Sequence, residues 1–194
     1  MPRALDLRKA AVRLARILGP DDCLLVGGMA VGAHGYVRAT KDVDFVVRVK
    51  LEEVRAQLER QGIRVTLTRG DPLEGGFPCI KGMLDGVPFD VMPPLVQLDW
   101  ERAVEMPMGR GATLRVVSLE GLIRLKVLAQ GPRDLLDVAA LVLQHPEHLP
   151  LARELGTAYG VADKLDIWLR DPRLKAELES PRRATPRKSR RNKA

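Results

Sequence analysis

The segment Leu24–Val47, LLVGGMAVGAHGYVRATKDVDFVV, constrains the fold of this chain more than any other. It begins with an apolar strand that ends in Gly27-Gly28, continues through small residues typical of a short helix, and leads into a second apolar strand carrying Asp42 and Asp44. Residues i and i+2 of a strand point to the same face, so the two carboxylates are predicted to project side by side, about 6–7 Å apart at Cα. The pattern predicts a mixed α/β core.

Paired carboxylates on one strand face need a reason, because acidic residues are depleted in strands and repel each other unless a cation lies between them. Hard divalent ions such as Mg²⁺ accept such oxygen ligands and keep positions open for substrate phosphates. Ion pairing to Arg38 or Lys41 is the alternative. The preceding Gly27 and Gly28 either form a tight turn with positive φ or, in addition, let backbone amides approach a phosphate. Together these features indicate phosphate-ester chemistry on a nucleotide.

A third carboxylate, Asp90, lies in the apolar run GVPFDVM. This run and Cys79–Leu84 are predicted to form a β-hairpin across Asp85-Gly86, which is a strong two-residue turn signal. An unpaired charge in such a strand is costly. Asp90 therefore needs a partner, which is either Lys81 across the hairpin or a metal or proton at a functional site.

Lys126 lies on the apolar side of a predicted helix. At 100° per residue it falls between Leu122 and Ile123, whereas Glu120 and Arg124 lie on the polar side. A lysine at this position either extends to solvent along its own methylene chain or is a deep cation that reaches a triphosphate. We interpret Lys126 as the deep cation.

Several further residues are candidates by position. Arg38, Thr40 and Lys41 directly precede the carboxylate strand and are predicted to contact phosphate or ribose, unless they have ordinary surface roles. Asp134 and Asp137 open a helix behind a Gly-Pro pair, where acidic residues also complement the helix dipole. We take Asp134 as the stronger candidate of these two.

At these residues the chain resembles the nucleotidyltransferase superfamily, whose fold is shared with polymerase beta-type enzymes. The superfamily's signature is Gly-Gly or Gly-Ser at a strand end, about a dozen residues, and then Asp-x-Asp or Asp-x-Glu inside a strand. Here thirteen residues separate Gly28 from Asp42. Asp90 fits the third carboxylate that the superfamily places on a later strand.

The runs RATKDVD and SLEGLIRLKVLAQGPRDLLD resemble the AbiEii-type branch of this superfamily. That branch contains toxins of bacterial toxin–antitoxin systems and uncharacterised relatives. Its pattern has a lysine at the place of Lys126 and a Lys/Arg-Asp-x-x-Asp element, matched here by Arg133, Asp134 and Asp137. The resemblance covers the segment Leu24–Leu143.

The resemblance implies a nucleotidyltransferase-type mixed β-sheet core with flanking helices and a helical C-terminal half. It also implies transfer of a nucleoside monophosphate from an NTP to an acceptor hydroxyl, with two Mg²⁺ ions, or Mn²⁺, as cofactors. The expected catalytic and metal-binding residues are Asp42, Asp44 and Asp90. The expected nucleotide-binding residues are Gly27, Gly28, Arg38, Thr40, Lys41, Lys126 and Asp134.

The acceptor and the partners stay open at this stage. RNA or tRNA, a protein hydroxyl, or a small molecule such as an aminoglycoside are the possible acceptors, and an antitoxin protein is a possible partner. A non-catalytic nucleotide- or RNA-binding module on the same fold is the alternative function. Nothing in the sequence matches the phosphate-binding pattern G-x-x-x-x-G-K-[ST], which argues against a P-loop ATPase.

The net charge of +7 lies entirely in the last fourteen residues, PRRATPRKSRRNKA, which hold seven Lys or Arg and no acid. The remaining chain has 25 basic and 25 acidic residues. We predict a core at residues 1–118, a helical region at 119–175 and a basic, disordered tail at 176–194. Such a tail either attracts RNA through counterion release or only aids solubility.

Helices are predicted at Leu5–Ile17 and Leu51–Gln61, with four more between Leu119 and Leu169, and Thr113–Val117 is predicted as an edge strand. No apolar run approaches the roughly eighteen residues of a membrane helix. Cys23 and Cys79 are predicted to be buried thiols in a reducing cytoplasm rather than a disulfide.

Overall fold

The computed structural model describes residues 4–70, 76–109 and 111–180. Within them, seven strands form one sheet in the order β3-β4-β5-β2-β1-β7-β6. The strands are β1 (Cys23–Val26), β2 (Val43–Val47), β3 (Val65–Thr68), β4 (Cys79–Leu84), β5 (Val87–Met92), β6 (Val104–Gly109) and β7 (Ala112–Val116). Because β2 is parallel to β5 and β1 is parallel to β7, while the other neighbours are antiparallel, the sheet is mixed.

Helices cover both faces of the sheet and form the C-terminal part of the described chain. They are α1 (Ala4–Leu18), α2 (Gly27–Ala33), α3 (Leu51–Arg60), α4 (Leu119–Ala129), α5 (Pro132–Gln144), α6 (Leu149–Ala158), α7 (Ala162–Arg170) and α8 (Pro172–Glu179). The predicted α/β class, with a mixed sheet, flanking helices and a helical C-terminal half, is confirmed.

The alternation of strand β2 separates the apolar core from the carboxylate side. Val43, Phe45 and Val47 are buried, and Phe45 lines a space with residues of α1. Asp44 points to the other face, where it lines a cavity with Lys126 of α4. Val43, Phe45 and Val47 therefore anchor the strand in the core, whereas the side chain of Asp44 lines a cavity.

The hairpin between β4 and β5 has the predicted turn. Leu84 pairs with Val87, and Asp85 and Gly86 both have positive φ, at 53° and 76°. Two successive residues with positive φ match the twist of antiparallel strands. The turn sets the register that places Asp90 opposite Lys81.

The prediction of Thr113–Val117 as an edge strand is wrong about its position. Strand β7 lies inside the sheet between β1 and β6, and β6 was not predicted. β6 contains Pro107, which lacks a backbone donor, and its register shifts between Pro107 and Gly109. Proline and irregular pairing are typical of an edge strand, and this strand supplies the edge.

Helix α8 was also not predicted, and it makes residues 176–179 helical although they fall in the range expected to be a disordered tail. Asp171 caps the helix by accepting a hydrogen bond from the Arg173 amide, and Leu174 is buried. The remainder of the basic tail, Pro181–Ala194, lies outside the described residues.

Cys23 and Cys79 are buried free thiols, as predicted. Burial raises the pKa of Cys23 to about 12 and that of Cys79 to about 11. Neither thiol is ionised at neutral pH, so both behave as small apolar side chains. Across the described part of the chain, every helix is too short or too polar to cross a membrane.

Candidate active site

The turn between β1 and α2 brings the backbone against a carboxylate. Gly27 has φ of 64°, and a Cβ at this position would lie 1.8 Å from Asp44 Oδ2. At Gly28 a Cβ would lie 2.7 Å from Thr40 Oγ1. A side chain at Gly27 would thus clash with Asp44, and the predicted positive-φ turn is also a close approach of backbone to the carboxylate.

The three predicted carboxylates come from adjacent parts of the sheet. Asp44 of β2 is the register partner of Asp90 in the parallel strand β5, so the two side chains stand on the same face about 4.8 Å apart in strand spacing. Asp42 lies one residue before β2 rather than inside it. Its Oδ1 accepts a hydrogen bond of 2.7 Å from Thr40 Oγ1. Thr40 therefore orients a carboxylate rather than standing free for a ligand.

The charge of Asp44 is poorly compensated. Burial, together with the smaller effects of the negative charges of Asp42 and Asp90, raises its pKa from 3.8 to about 7. Lys126 and Arg38 lower it, but by less. A cation bound among these carboxylates would relieve both the repulsion and the lack of solvation.

Asp90 is paired with Lys81, as the alternative interpretation allowed. Their Nζ and Oδ2 atoms are 3.4 Å apart, and the side chains are 61% and 34% exposed. An exposed pair of this kind contributes about 0–1 kcal/mol and exchanges readily with other ligands. The pairing is therefore compatible with a second partner for Asp90.

Lys126 is buried, as the helical pattern predicted, and it does not extend to solvent. Its Nζ lies 2.6 Å from Asp134 Oδ1 and 3.0 Å from Asp137 Oδ2. The ammonium is thus shared between two carboxylates at the start of α5. Asp134, at 26% side-chain exposure, is the partner that borders open space.

Asp137 is the fully buried centre of this network. Its two oxygens each accept a hydrogen bond of 2.6 Å from Arg38, through Nε and Nη2, and one of them also contacts Lys126. A fork of two parallel bonds is the strongest form of such a pair. One carboxylate on α5 therefore holds one cation from the segment after α2 and another from α4.

A cavity of about 160 Å³, here called the cationic cavity, collects most of the predicted residues. It is lined by Gly27, Gly28, Arg38, Thr40, Lys41, Asp42, Asp44, Lys126 and Arg133. Asp90 borders a neighbouring cavity that also contains Asp44, and Asp134 lines that second cavity rather than the first. Four cations and two carboxylates at one opening can hold a polyanion together with a divalent metal.

Two residues of this arrangement were left out of the expected site residues. Arg133 lines the cationic cavity, and Asp137, which the sequence analysis ranked below Asp134, anchors two of its cations. A helical count over α5 favours Asp137, because it shares the face of the buried residues Ala140 and Leu141. Arg133 is an exposed basic residue in the first helical turn, and it was named only as part of the Lys/Arg-Asp-x-x-Asp element.

The donor set fits Mg²⁺ only if substrate completes it. Among the residues that the structure describes, no three His, Cys, Asp or Glu side chains form a preformed metal centre. Mg²⁺ is commonly held by one or two carboxylates together with substrate phosphates. Asp42 and Asp44, with the uncompensated charge of Asp44, meet that requirement.

Comparisons with known proteins bring out likenesses only among solved structures. No protein-family model matches the chain, and a search of curated proteins found no match. The chain is similar to ANT(2")-Ia in complex with adenylyl-2"-tobramycin, at 20% identity over 90% of this chain and 95% of that chain, with a TM-score of 0.45. We therefore base the function on the residues of this chain.

Two further solved structures are similar at lower identity. JHP933 from Helicobacter pylori is 13% identical over 89% of this chain and 93% of that chain, with a TM-score of 0.41. The Megavirus polyadenylate synthase is 14% identical over 91% of this chain and 36% of that chain, with a TM-score of 0.39.

The buried network predicts a large stability effect at Asp137. Asp137→Asn removes the charge that offsets Arg38 and Lys126, and breaking a buried pair typically costs about 3–5 kcal/mol. We expect this loss in the free energy of unfolding measured by urea denaturation. The matched control is Asp166→Asn, which breaks an exposed pair with Arg170 and should cost less than about 1 kcal/mol. Equal losses in the two variants would contradict the network's structural role.

The raised pKa of Asp44 predicts a pH-dependent effect. Because the folded chain holds this proton more tightly than the unfolded chain, ionised Asp44 destabilises the fold above pH 7, and the penalty disappears as the pH falls from about 7 towards 3.8. In metal-free buffer, Asp44→Asn should therefore gain stability relative to the parent protein as the pH rises from 5 to 8. Urea denaturation across this range measures the difference, and a difference independent of pH would refute the assignment.

Proposed function

We propose that this protein is a Mg²⁺-dependent nucleotidyltransferase that transfers a nucleoside monophosphate from an NTP to an acceptor hydroxyl. One observation carries the proposal: the cationic cavity contains Asp42 and Asp44, and Asp90 lies beside Asp44 on the neighbouring strand. An anionic triphosphate matches the cations, and the carboxylates match the metal that such a reaction requires.

The triphosphate would lie against the four cations of the cationic cavity. Arg38 and Lys126 both form ion pairs with Asp137, so their positions do not depend on the ligand. Lys41 and Arg133 are exposed at the opening and are free to approach a phosphate. Gly27 and Gly28 line the same cavity, where the lack of a side chain lets Asp44 and Thr40 pack against the backbone.

Asp42, Asp44 and Asp90 would hold Mg²⁺, and we propose two ions, with Mn²⁺ as a substitute. When bound, the metal neutralises charge on the phosphates and polarises their oxygens. Thr40 keeps Asp42 oriented through its hydrogen bond. Without a metal, these neighbouring negative charges would repel a phosphate.

Asp90 would act on the acceptor. We propose that it accepts the proton of the attacking hydroxyl as the bond from that oxygen to the α-phosphorus forms. The bond from the α-phosphorus to the bridging oxygen breaks, and pyrophosphate leaves with the electron pair. The exposed Lys81 beside Asp90 lies where it can contact an incoming acceptor.

For the acceptor we propose RNA, including tRNA, with a protein hydroxyl or a small molecule such as an aminoglycoside as the alternatives. The basic tail supports RNA, because its seven cationic residues favour a polyanion regardless of the nucleotide sequence. The finer proposal, based on the resemblance described above, is a toxin of the AbiEii-type branch with an antitoxin partner.

A non-catalytic binding module is the second candidate, and one observation favours it. Lys81 already neutralises Asp90, and a neutralised third carboxylate is a poor base. Incubation with each radiolabelled NTP, Mg²⁺ and total cellular RNA distinguishes the two functions. Label retained on an acceptor after denaturation supports the transferase, whereas NTP binding without any transfer supports the binding module.

The metal assignment predicts loss of chemistry without loss of fold. Asp42→Ala and Asp44→Ala should abolish transfer, since each removes a proposed metal ligand, while metal-free stability stays unchanged or rises slightly because repulsion is relieved. Transfer assays and thermal unfolding measure the two properties. Asp163→Ala, an exposed carboxylate on α7, is the matched control and should retain activity. Full transfer by both site variants would show that the metal is held elsewhere.

Deletion of Pro181–Ala194 tests the RNA acceptor. The truncated protein should bind NTP normally but bind RNA more weakly and with less dependence on salt. Seven cations contacting seven phosphates would give a log–log salt slope of up to about −5 on single strands. If full-length and truncated proteins share the same RNA affinity and slope, the tail is not the RNA-binding element.

A further inference from the structure

A second cavity adjoins the cationic cavity and differs from it in chemistry. It has a volume of about 450 Å³ and shares Gly27, Asp44 and Lys126 with the cationic cavity. Its walls are mainly apolar, and we call it the apolar cavity. The two spaces meet at Asp44, so a single ligand can occupy both.

One face of α4 supplies both the cation and an apolar wall. Leu122, Leu125 and Ala129 follow the i, i+3, i+7 spacing of one helix face, and Lys126 lies among them. If the anionic group of a ligand contacts Lys126, the adjoining part of that ligand therefore lies against apolar side chains within one helical turn. Phe77, which is 42% exposed, and Met92 line the same space.

Three polar side chains of the apolar cavity, besides Asp44, are already engaged within the protein. Thr68 donates to the Cys79 carbonyl at 3.0 Å, Lys81 pairs with Asp90, and Asp134 pairs with Lys126. Strong discrimination between ligands requires protein groups that are left unpaired by the wrong ligand. These three residues have partners without any ligand, so the cavity favours a flat apolar group over a particular pattern of donors and acceptors.

We propose that the apolar cavity binds the nucleobase of the NTP by stacking and apolar contact, with little preference for which base it is. This inference rests on the proposed function and adds where the base lies and how it is recognised. A nucleoside triphosphate has an anionic end and an aromatic end, and the two joined cavities match those ends in that order. Phe77 is the aromatic side chain available for stacking.

The test uses full-length protein, Mg²⁺, the four NTPs and inorganic tripolyphosphate, with dissociation constants from calorimetry. The variants are Phe77→Ser, which removes the ring, and Phe77→Trp, which keeps an aromatic surface. Tyr159→Ser is the matched control, since Tyr159 is 39% exposed and lies at the end of α6. Phe77 is exposed enough that its loss should leave the core intact.

We expect the parent protein to bind ATP more tightly than tripolyphosphate and to bind all four NTPs within about tenfold of each other. Phe77→Ser should weaken ATP binding by about 5- to 150-fold, the range for a lost base–aromatic stack, and leave tripolyphosphate binding unchanged. Phe77→Trp and Tyr159→Ser should both bind ATP as the parent does.

Three outcomes would overturn the inference. If Phe77→Ser leaves ATP binding unchanged while ATP still exceeds tripolyphosphate, the base lies elsewhere and the proposed function stands. If the same variant instead weakens binding of total cellular RNA, titrated in the same way, the apolar cavity is the acceptor site. If the parent binds neither ATP nor tripolyphosphate, the proposed function fails and this inference fails with it.

Discussion

The contact of Arg38 and Lys126 with the buried Asp137 is the interaction on which the candidate site depends. These three residues come from the segment after α2, from α4 and from α5, so one carboxylate joins the sheet-covering part of the chain to the helical part. Without Asp137, these two largely buried cations would repel each other and would lack both solvation and a counter-charge. With it, both stand at the wall of a cavity in fixed positions. Asp137, which does not line the cationic cavity, thus holds two of the cations that do.

The carboxylates of the site, unlike its cations, lack internal compensation. Asp42, Asp44 and Asp90 line the two cavities, and the pKa of Asp44 is raised to about 7 because burial and the charges of Asp42 and Asp90 outweigh Lys126 and Arg38. The protein compensates its site cations internally but leaves its site carboxylates short of positive charge. A metal ion would supply the missing positive charge. In a polyphosphate complex, Asp134 is the partner of Lys126 that a phosphate oxygen can most easily replace, because Asp134 is partly exposed whereas Asp137 is not.

Short-range signals explain which parts of this structure were predictable from sequence. Asp85-Gly86 determines its hairpin locally, Gly27 is required at a positive φ, and the helical count places Lys126 inward without knowledge of its neighbours. Strand β6 was missed because Pro107 and an irregular register mask its pattern. The Arg38–Asp137 pair spans 99 residues of sequence, and Asp137 also fits the simpler explanation of an acid near a helix start. Long-range charge pairing has no local pattern, so only the fold reveals which candidate charges are committed to each other.

The arrangement of the two cavities has a consequence for specificity. The cationic cavity recognises charge, which every nucleoside triphosphate shares, and the apolar cavity has its main polar side chains already paired. Among the described residues, the paired side chains of the apolar cavity leave little basis for selecting one base. If the protein transfers a particular nucleotide, that choice has to arise at the acceptor, where the exposed Lys81–Asp90 pair can open and form new contacts. Selectivity would then reside in the least buried part of the site, and the most buried part would serve only to hold the phosphates.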